Sequence, residues 1–394
     1  MSSTLKIYTL AILSFLVGTS EYIIAGILDK IAESMGVSVV TAGQLITVFS
    51  LAYAFGAPFV MAMTVRMERR KLMLYALFFF VIGNGLAYVL QGYELLIISR
   101  VIMGVSAGVT VVSALTIAAK VALPGKQGSA LAAVLMGFTA SLIFGVPIGR
   151  VIASAYDWKA VFGGIALVGL LSIIIISLTI PRIEGEEPVP LRKQLALLKQ
   201  PKMVIALSVT FFWIVGYSIF YSYISPLLIT VTGMSDSTLS TVLFVIGIAS
   251  LIGSRFGGFA TDKWGIHRAL FGGLSINGIA LIMIALTIYS PAILIPMLIV
   301  WSFAVWALGP PQQLHLIALA PDSAGIMLSL NNSVLQLAMA VGAGIGGIAV
   351  EQVSLTFVTW VAAAGIAFAI WAVILSRRNA RSEKSIQMTG QQST

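Results

Sequence analysis

Glu21 lies in an apolar run, LKIYTLAILSFLVGTSEYIIAGIL, long enough to cross a bilayer, for which about 20 apolar residues suffice. A charge at mid-bilayer costs about 2.5–3.5 kcal/mol on insertion scales, so such residues are rare and usually functional. Arg100 lies in a second run, SRVIMGVSAGV. With the first span at 7–27 and the fourth at 95–118, Glu21 falls about 9 Å and Arg100 about 7–8 Å below the same surface, at 1.5 Å per residue. Burial disfavours an ionised carboxylate and a nearby arginine favours it. Movement of Arg100 would therefore switch Glu21 between holding and releasing a proton. The alternative is a static buried ion pair that fixes helix packing.

The remaining candidates are uncharged. Tyr217, Tyr221 and Tyr223 fall in span seven, Trp306, Gln312, Gln313 and His315 in span ten, and Asn331, Asn332 and Gln336 in span eleven. Gln44 and Asn84 add amides in spans two and three. Amides flanked by aromatics suit a neutral planar or polyhydroxylated solute. Interhelical hydrogen bonds, about 0.6 kcal/mol each, are the other use for such groups. His315 is expected at the interface and His267 in solvent, with Trp158, Trp264 and Trp360 as interface anchors. Two histidines, no cysteine, no HExxH and no GxxxxGK[ST] give no metal site, no ATP site and no expected cofactor. The chain does not read as an enzyme.

These residues need a membrane around them. The chain has 394 residues, 59% hydrophobic and 9% charged, against about 25% charged in a soluble domain. Its mean hydropathy is +1.03. Twelve apolar segments fall near 7–27, 41–63, 71–90, 95–118, 129–152, 159–181, 203–224, 238–259, 269–289, 292–318, 325–350 and 355–376. If the N-terminus is inside, eighteen of the 23 basic residues lie in inside loops or tails. The positive-inside rule then puts both termini in the cytoplasm. The net charge of +9 is thus a topology signal and does not point to nucleic acid. The expected fold is all-α and integral to the membrane.

The longest hydrophilic connection, 182–202, divides the chain. Its second part, LRKQLALLKQPK, places Leu191, Leu195 and Leu198 at helical spacing, as in a short amphipathic helix on the inner leaflet or a plain surface helix. A shift of 197 residues brings Pro124 onto Pro321, Gly128 onto Gly325, Gly145 onto Gly342, Gly149 onto Gly346 and Gly56 onto Gly253. This suggests a duplicated six-helix unit: a first half over 1–181, a second over 203–376, and a tail over 377–394. Two such halves related by an axis along the membrane normal place a substrate site at their interface. Under the same shift Glu21 meets Ser218 and Arg100 meets Met297, so the charged pair belongs to one half.

Three stretches resemble the major facilitator superfamily. GGFATDKWGIHR carries Gly258, Asp262, Lys263, Gly265 and Arg268 in the pattern of the family's loop motif, which the resemblance makes a cytoplasmic gate latch. The first-half counterpart departs from it, with Met61, Val65 and Glu68 where the pattern has Gly, Asp and Gly. Gly145, Pro147 and Gly149 in span five are similar to the signature of the family's antiporters; a packing kink is the other reading. Arg100, Gly104 and Gly108 match the buried-arginine motif.

The whole pattern resembles the bacterial twelve-span drug:proton antiporters, with likeness to purine base or nucleoside efflux pumps (ALGPPQQLHLIALAPDS, NNSVLQ) and to arabinose-type sugar efflux permeases. The resemblance implies a monomeric, multi-pass protein of the bacterial inner membrane. It would export small organic solutes against protons, with Glu21 as proton carrier and Arg100 as its modulator. A sugar permease or an uncoupled facilitator is the alternative; a membrane receptor is the remote one.

Overall fold

The computed structural model describes residues 3–123, 126–184, 198–321 and 324–391. Twelve helices are long and apolar enough to span a membrane. They are α1 (Ser3–Met35), α2 (Val39–Met63), α3 (Arg69–Val89), α4 (Tyr93–Val121), α5 (Ser129–Ala155), α6 (Trp158–Thr179), α7 (Pro201–Tyr221), α8 (Asp236–Trp264), α9 (Ile266–Thr287), α10 (Pro291–Leu319), α11 (Met327–Gln352) and α12 (Phe357–Arg377). An even number of spans returns both termini to one side, the terminal face; the other is the far face.

Some boundaries differ from the sequence expectation. α1 does not stop at 27 but breaks its helical geometry at Ile27 (φ −129°, ψ 20°) and continues to Met35. The charges that ended the apolar run, Asp29 and Lys30, are paired by ion bridges, so the helix can carry them. α7 ends at Tyr221, before the expected 224. The helix of α12 runs beyond its span to Gln391, into what was expected to be a tail. Leu191 and Leu195 of the expected linker helix lie outside the described residues, as does Pro124.

The duplication is visible in how the helices begin and end. Gly36 and Gly233, 197 residues apart, both have positive φ (63° and 69°), a region open to glycine at little cost. Ser38 caps α2 by accepting from Thr41 N at 3.0 Å, and Ser235 caps α8 by accepting from Thr238 N at 3.2 Å; such caps satisfy amides the helix cannot. A methyl at Gly145 would lie 2.2 Å from Thr19 Oγ1 on α1, and one at Gly342 would lie 2.6 Å from Val215 O on α7. The same small residue therefore makes the same crossing in each half. α1 and α7 are the most enclosed spans, with 89% and 72% of their central windows buried.

The two six-helix halves meet mainly toward the far face. Thr47 on α2 donates to Ala340 O on α11 at 3.4 Å, and Ser225 donates to Ala25 O on α1 at 2.7 Å. Gly247 on α8 lets that helix approach α5, where a methyl would lie 2.6 Å from Ile143 Cα. Among the described residues, the terminal-face segments Ala57–Met63 of α2 and Gln127–Ala140, the helical stretch that leads into and begins α5, make no comparable contact with the opposite half. The interface is sealed at the far face and splayed at the terminal face.

Candidate functional site

Glu21 sits mid-helix on α1, 4% exposed. Its Oε1 accepts from Nε2 of Gln336 on α11 at 3.2 Å, a bond that crosses between the halves. Its Oε2 has no hydrogen-bond partner among the described residues. Arg100 is fully buried close by, yet no ion pair joins it to Glu21. Its Nη1 donates to Ser20 O at 2.9 Å, its Nε to Leu45 O at 3.5 Å, and its guanidinium lies 4.2 Å over the Phe49 ring. Arg100 Nη2 and Gln336 Oε1 likewise have no partner among the described residues.

Asn84 is spent on architecture. It accepts from Ser20 Oγ at 3.2 Å and donates to Phe80 O at 2.8 Å, pinning α1 to α3 beside Glu21. Gly104 and Gly108 bring α4 onto α2: added methyls would lie 2.4 Å from Phe49 O and 2.4 Å from Ala57 Cβ. That close approach sets Arg100 beneath Phe49.

An aromatic chain runs from Glu21's neighbour into the second half. Tyr22 meets Phe138 edge-on at 5.7 Å and Tyr221 at 6.3 Å. Tyr221 stacks on Tyr217 at 5.0 Å, Tyr217 on Trp301 at 5.8 Å, and Trp306 meets Tyr217 edge-on at 6.3 Å. A narrow pocket opens among Tyr217, Tyr221, Trp301, Trp306, Ser250 and Ser302, with apolar residues of α5 and α8 completing it and no charged side chain in its lining. Tyr217 Oη and Trp301 Nε1 are buried without a partner among the described residues. Trp301, Tyr22 and Phe138 escaped the sequence reading, since a lone aromatic in an apolar run carries no periodic signal.

The amides divide. Gln312 donates to Ala206 O at 2.7 Å and to Thr210 Oγ1 at 2.9 Å, and Thr210 donates to Asn331 Oδ1 at 2.6 Å. This network ties α10, α7 and α11 together. Asn332 on α11 lies near Tyr53 of α2 across the halves. Gln313 and Gln44 are exposed; Gln44 shares a helical row with the exposed Leu51 and Phe55, apart from the buried cluster. His315 bonds Ser376 at 3.0 Å and meets His267 edge-on at 5.2 Å. His267 is therefore half-buried, not solvated as expected. Trp158 is also buried, at 2% exposure against Phe162, whereas Trp264 and Trp360 are exposed as anchors should be.

The loop-motif glycines are reassigned. Gly258 faces open space, while methyls at Gly253 and Gly257 would lie 2.2 Å from Phe303 O and 2.1 Å from Ala307 O. The α8–α10 approach thus rests on the neighbours of Gly258. Gly265 ends α8 with φ 82°. Asp262, Lys263 and Arg268 are exposed, and Lys263 lies 5.6 Å over Phe259. In span five, a methyl at Gly149 would lie 2.2 Å from Ile23 Cδ1, so only glycine lets α5 approach α1 there, and Pro147 opens the helical segment after the wide turn Ser141–Gly145.

At the far face an ion cluster holds the seal. Fully buried Arg150 on α5 donates to Asp29 on α1 and to Asp236 on α8. Lys30 also donates to Asp236, at 2.9 Å. Sequence reading missed this cluster because each charge stands at a span end, where loop charges are ordinary.

Twelve spans in two halves around a polar, half-shared centre define a membrane transporter. The chain belongs to the Major Facilitator Superfamily, whose family model matches residues 10–343. The uncharacterized MFS-type transporter YbcL of Bacillus subtilis (strain 168) is 56% identical over 375 residues, covering 95% of this chain and 96% of its own. The uncharacterized MFS-type transporter YtbD of the same organism is 28% identical over 380 residues, covering 95% of each. Among solved structures, a bacterial homolog of the human lysosomal transporter Spinster, inward-facing and unoccupied, aligns with TM-score 0.78 at 17% identity over 95% of this chain and 97% of its own. The occupied form aligns with TM-score 0.74 at 18% identity, covering 94% and 96%. At that identity the likeness speaks for the fold.

Proposed function

We propose that this transporter is a proton-coupled exporter of small neutral organic solutes, working by alternating access in a bacterial cytoplasmic membrane. The observation that carries the proposal is Glu21: a carboxylate buried at mid-membrane, bonded to the opposite half, with one oxygen unpartnered among the described residues. A proton taken or lost there acts at the surface along which the halves must move. The basic loops support a cytoplasmic terminal face, so the splayed side is the inward one. Likeness of Gly145, Pro147 and Gly149 to the antiporter signature supports exchange and efflux. The protein acts as a monomer with protons as its second cargo, and needs no cofactor.

The aromatic pocket favours purine bases or nucleosides over sugars and cations. Its walls offer ring faces and two free donors but no charge. Asp262, Lys263 and Arg268 serve the inward gate, and their exposure fits its open state.

The test is uptake into inside-out vesicles under an imposed pH gradient, with a purine, a nucleoside, a sugar and a cationic dye. Wild type should concentrate the purine or the nucleoside. Glu21→Gln should bind the solute without concentrating it. If Glu21→Gln accumulates solute as well as wild type, the coupling assignment is wrong and a facilitator reading takes its place.

A further inference from the structure

The centre holds three polar atoms that lack partners among the described residues: Glu21 Oε2, Gln336 Oε1 and Arg100 Nη2. Two are acceptors on groups already joined by one bond, Gln336 Nε2 to Glu21 Oε1 at 3.2 Å. The third is a donor on an arginine that binds the backbone oxygen of Ser20, next to Glu21 in sequence. Glu21 and Gln336 are 4% and 2% exposed and Arg100 fully buried, so bulk water does not mask the mismatch. A buried acceptor without a donor costs about 1–3 kcal/mol.

One proton resolves the first pair. A carboxylic acid offers C=O and O–H, and a primary amide offers N–H and C=O; the two forks are complementary. With a proton on Oε2, Glu21 donates to Gln336 Oε1 while still accepting from Nε2, giving two bonds between the halves. Without it the carboxylate cannot donate, and Gln336 Oε1 is left bare. The ionised group then has a better partner in its own half, because Arg100 Nη2 is an unused charged donor and charge-assisted bonds are about twice as strong as neutral ones.

We propose that protonation exchanges the partner of Glu21 between the halves: Gln336 of α11 when protonated, Arg100 of α4 when ionised. Gln336 is thus the positioning residue through which the second half senses the proton. When the O–H bond breaks, the proton leaves to water on the splayed side, the electron pair stays on Oε2, and Arg100 Nη2 donates to it. The proton-loaded form favours the far-sealed arrangement seen here. Among the described residues the charged group facing Glu21 is Arg100. The titratable ones are Tyr22 on its own helix, Tyr53 from α2, and Tyr217 from α7 with Tyr221 behind it; α3 presents the neutral Asn84 through Ser20. A phenol ordinarily ionises at about pH 10, leaving Glu21 as the switch.

This inference rests on Glu21 being the proton carrier, and the experiment separates the two. The chain has no cysteine, so Met63→Cys on α2 and Ser329→Cys on α11 can carry spin labels across the splayed face of the full-length protein in liposomes, without solute. In wild type the long-distance population should fall as pH rises, by up to about tenfold per pH unit, the limit for one proton. Gln336→Leu should flatten the profile. Gln336→Glu, which sets two carboxyls around one proton, should move it to higher pH and guards against a simple folding failure of the leucine variant. Glu21→Gln should also be flat. If Glu21→Gln is flat but Gln336→Leu and Gln336→Glu both keep the wild-type midpoint, Gln336 is not the exchanging partner. If Glu21→Gln keeps the pH dependence, the carrier assignment itself has failed.

Discussion

Arg150 donates to Asp29 within its own half and to Asp236 across the interface, so one buried guanidinium closes the far face. Lys30 reinforces the second carboxylate. A cation with no exposure of its own needs at least one acid to compensate it, and the second acid ties that charge to the opposite half.

Asp236→Asn should therefore loosen the seal without unfolding the chain, since Arg150 keeps Asp29. Because the Asp236 side chain is 37% exposed, the effect should be near that of a surface pair, about 1 kcal/mol or roughly fivefold in the open population. Labelling of Ser225→Cys by an impermeant thiol reagent from the far side reads it; an unchanged rate would remove the cluster from the gate.

Arg150→Met should be more severe. It strands Asp29 at the interface and leaves Asp236 to Lys30 alone, and stability in detergent should drop by more than in Asp236→Asn. A thermal unfolding series of both variants orders them.

For the pocket, Tyr217→Phe and Trp301→Phe each remove one free donor while keeping a ring. Each should weaken binding of a neutral heteroaromatic by about fivefold, the size of one net hydrogen bond. Equilibrium binding without a gradient measures this, and equal affinity in all three proteins would place the solute elsewhere.

Gly257→Val should be poorly tolerated and Gly258→Ala nearly silent. The first forces atoms against Ala307 O, 2.1 Å from an added methyl, whereas the second faces open space. Overpacking at a close crossing costs about 1–3 kcal/mol, readable as a drop in midpoint temperature.

Span number and family were legible because twelve apolar runs and one loop motif are long, local signals. Glu21 and Arg100 stood out for the same reason, as single charges inside apolar runs with no other charged residue within five positions. What they touch was not legible. Gln336 reaches Glu21 across 315 positions, and only the packing of α1 against α11 determines that. Trp301 looks like any apolar residue of span ten until Tyr217 is laid over it. Gly258 was singled out by its motif, but helix phase turns Gly257 toward α10. The end of α1 was misjudged at Asp29 because a sequence read in one dimension cannot show that Arg150 waits beside it.

The paired caps and turns, Gly36 with Gly233 and Ser38 with Ser235, hold both halves to one plan, while Glu21 and Arg100 belong to the first alone and the Tyr217–Trp301 stack to the second. If the proposed coupling holds, that asymmetry separates engine from cargo hold. On the proposed function, substitutions around α7 and α10 would retune what is carried and leave the driving chemistry of α1 and α4 untouched, so descendants of such a chain could diversify in diet without reinventing their fuel.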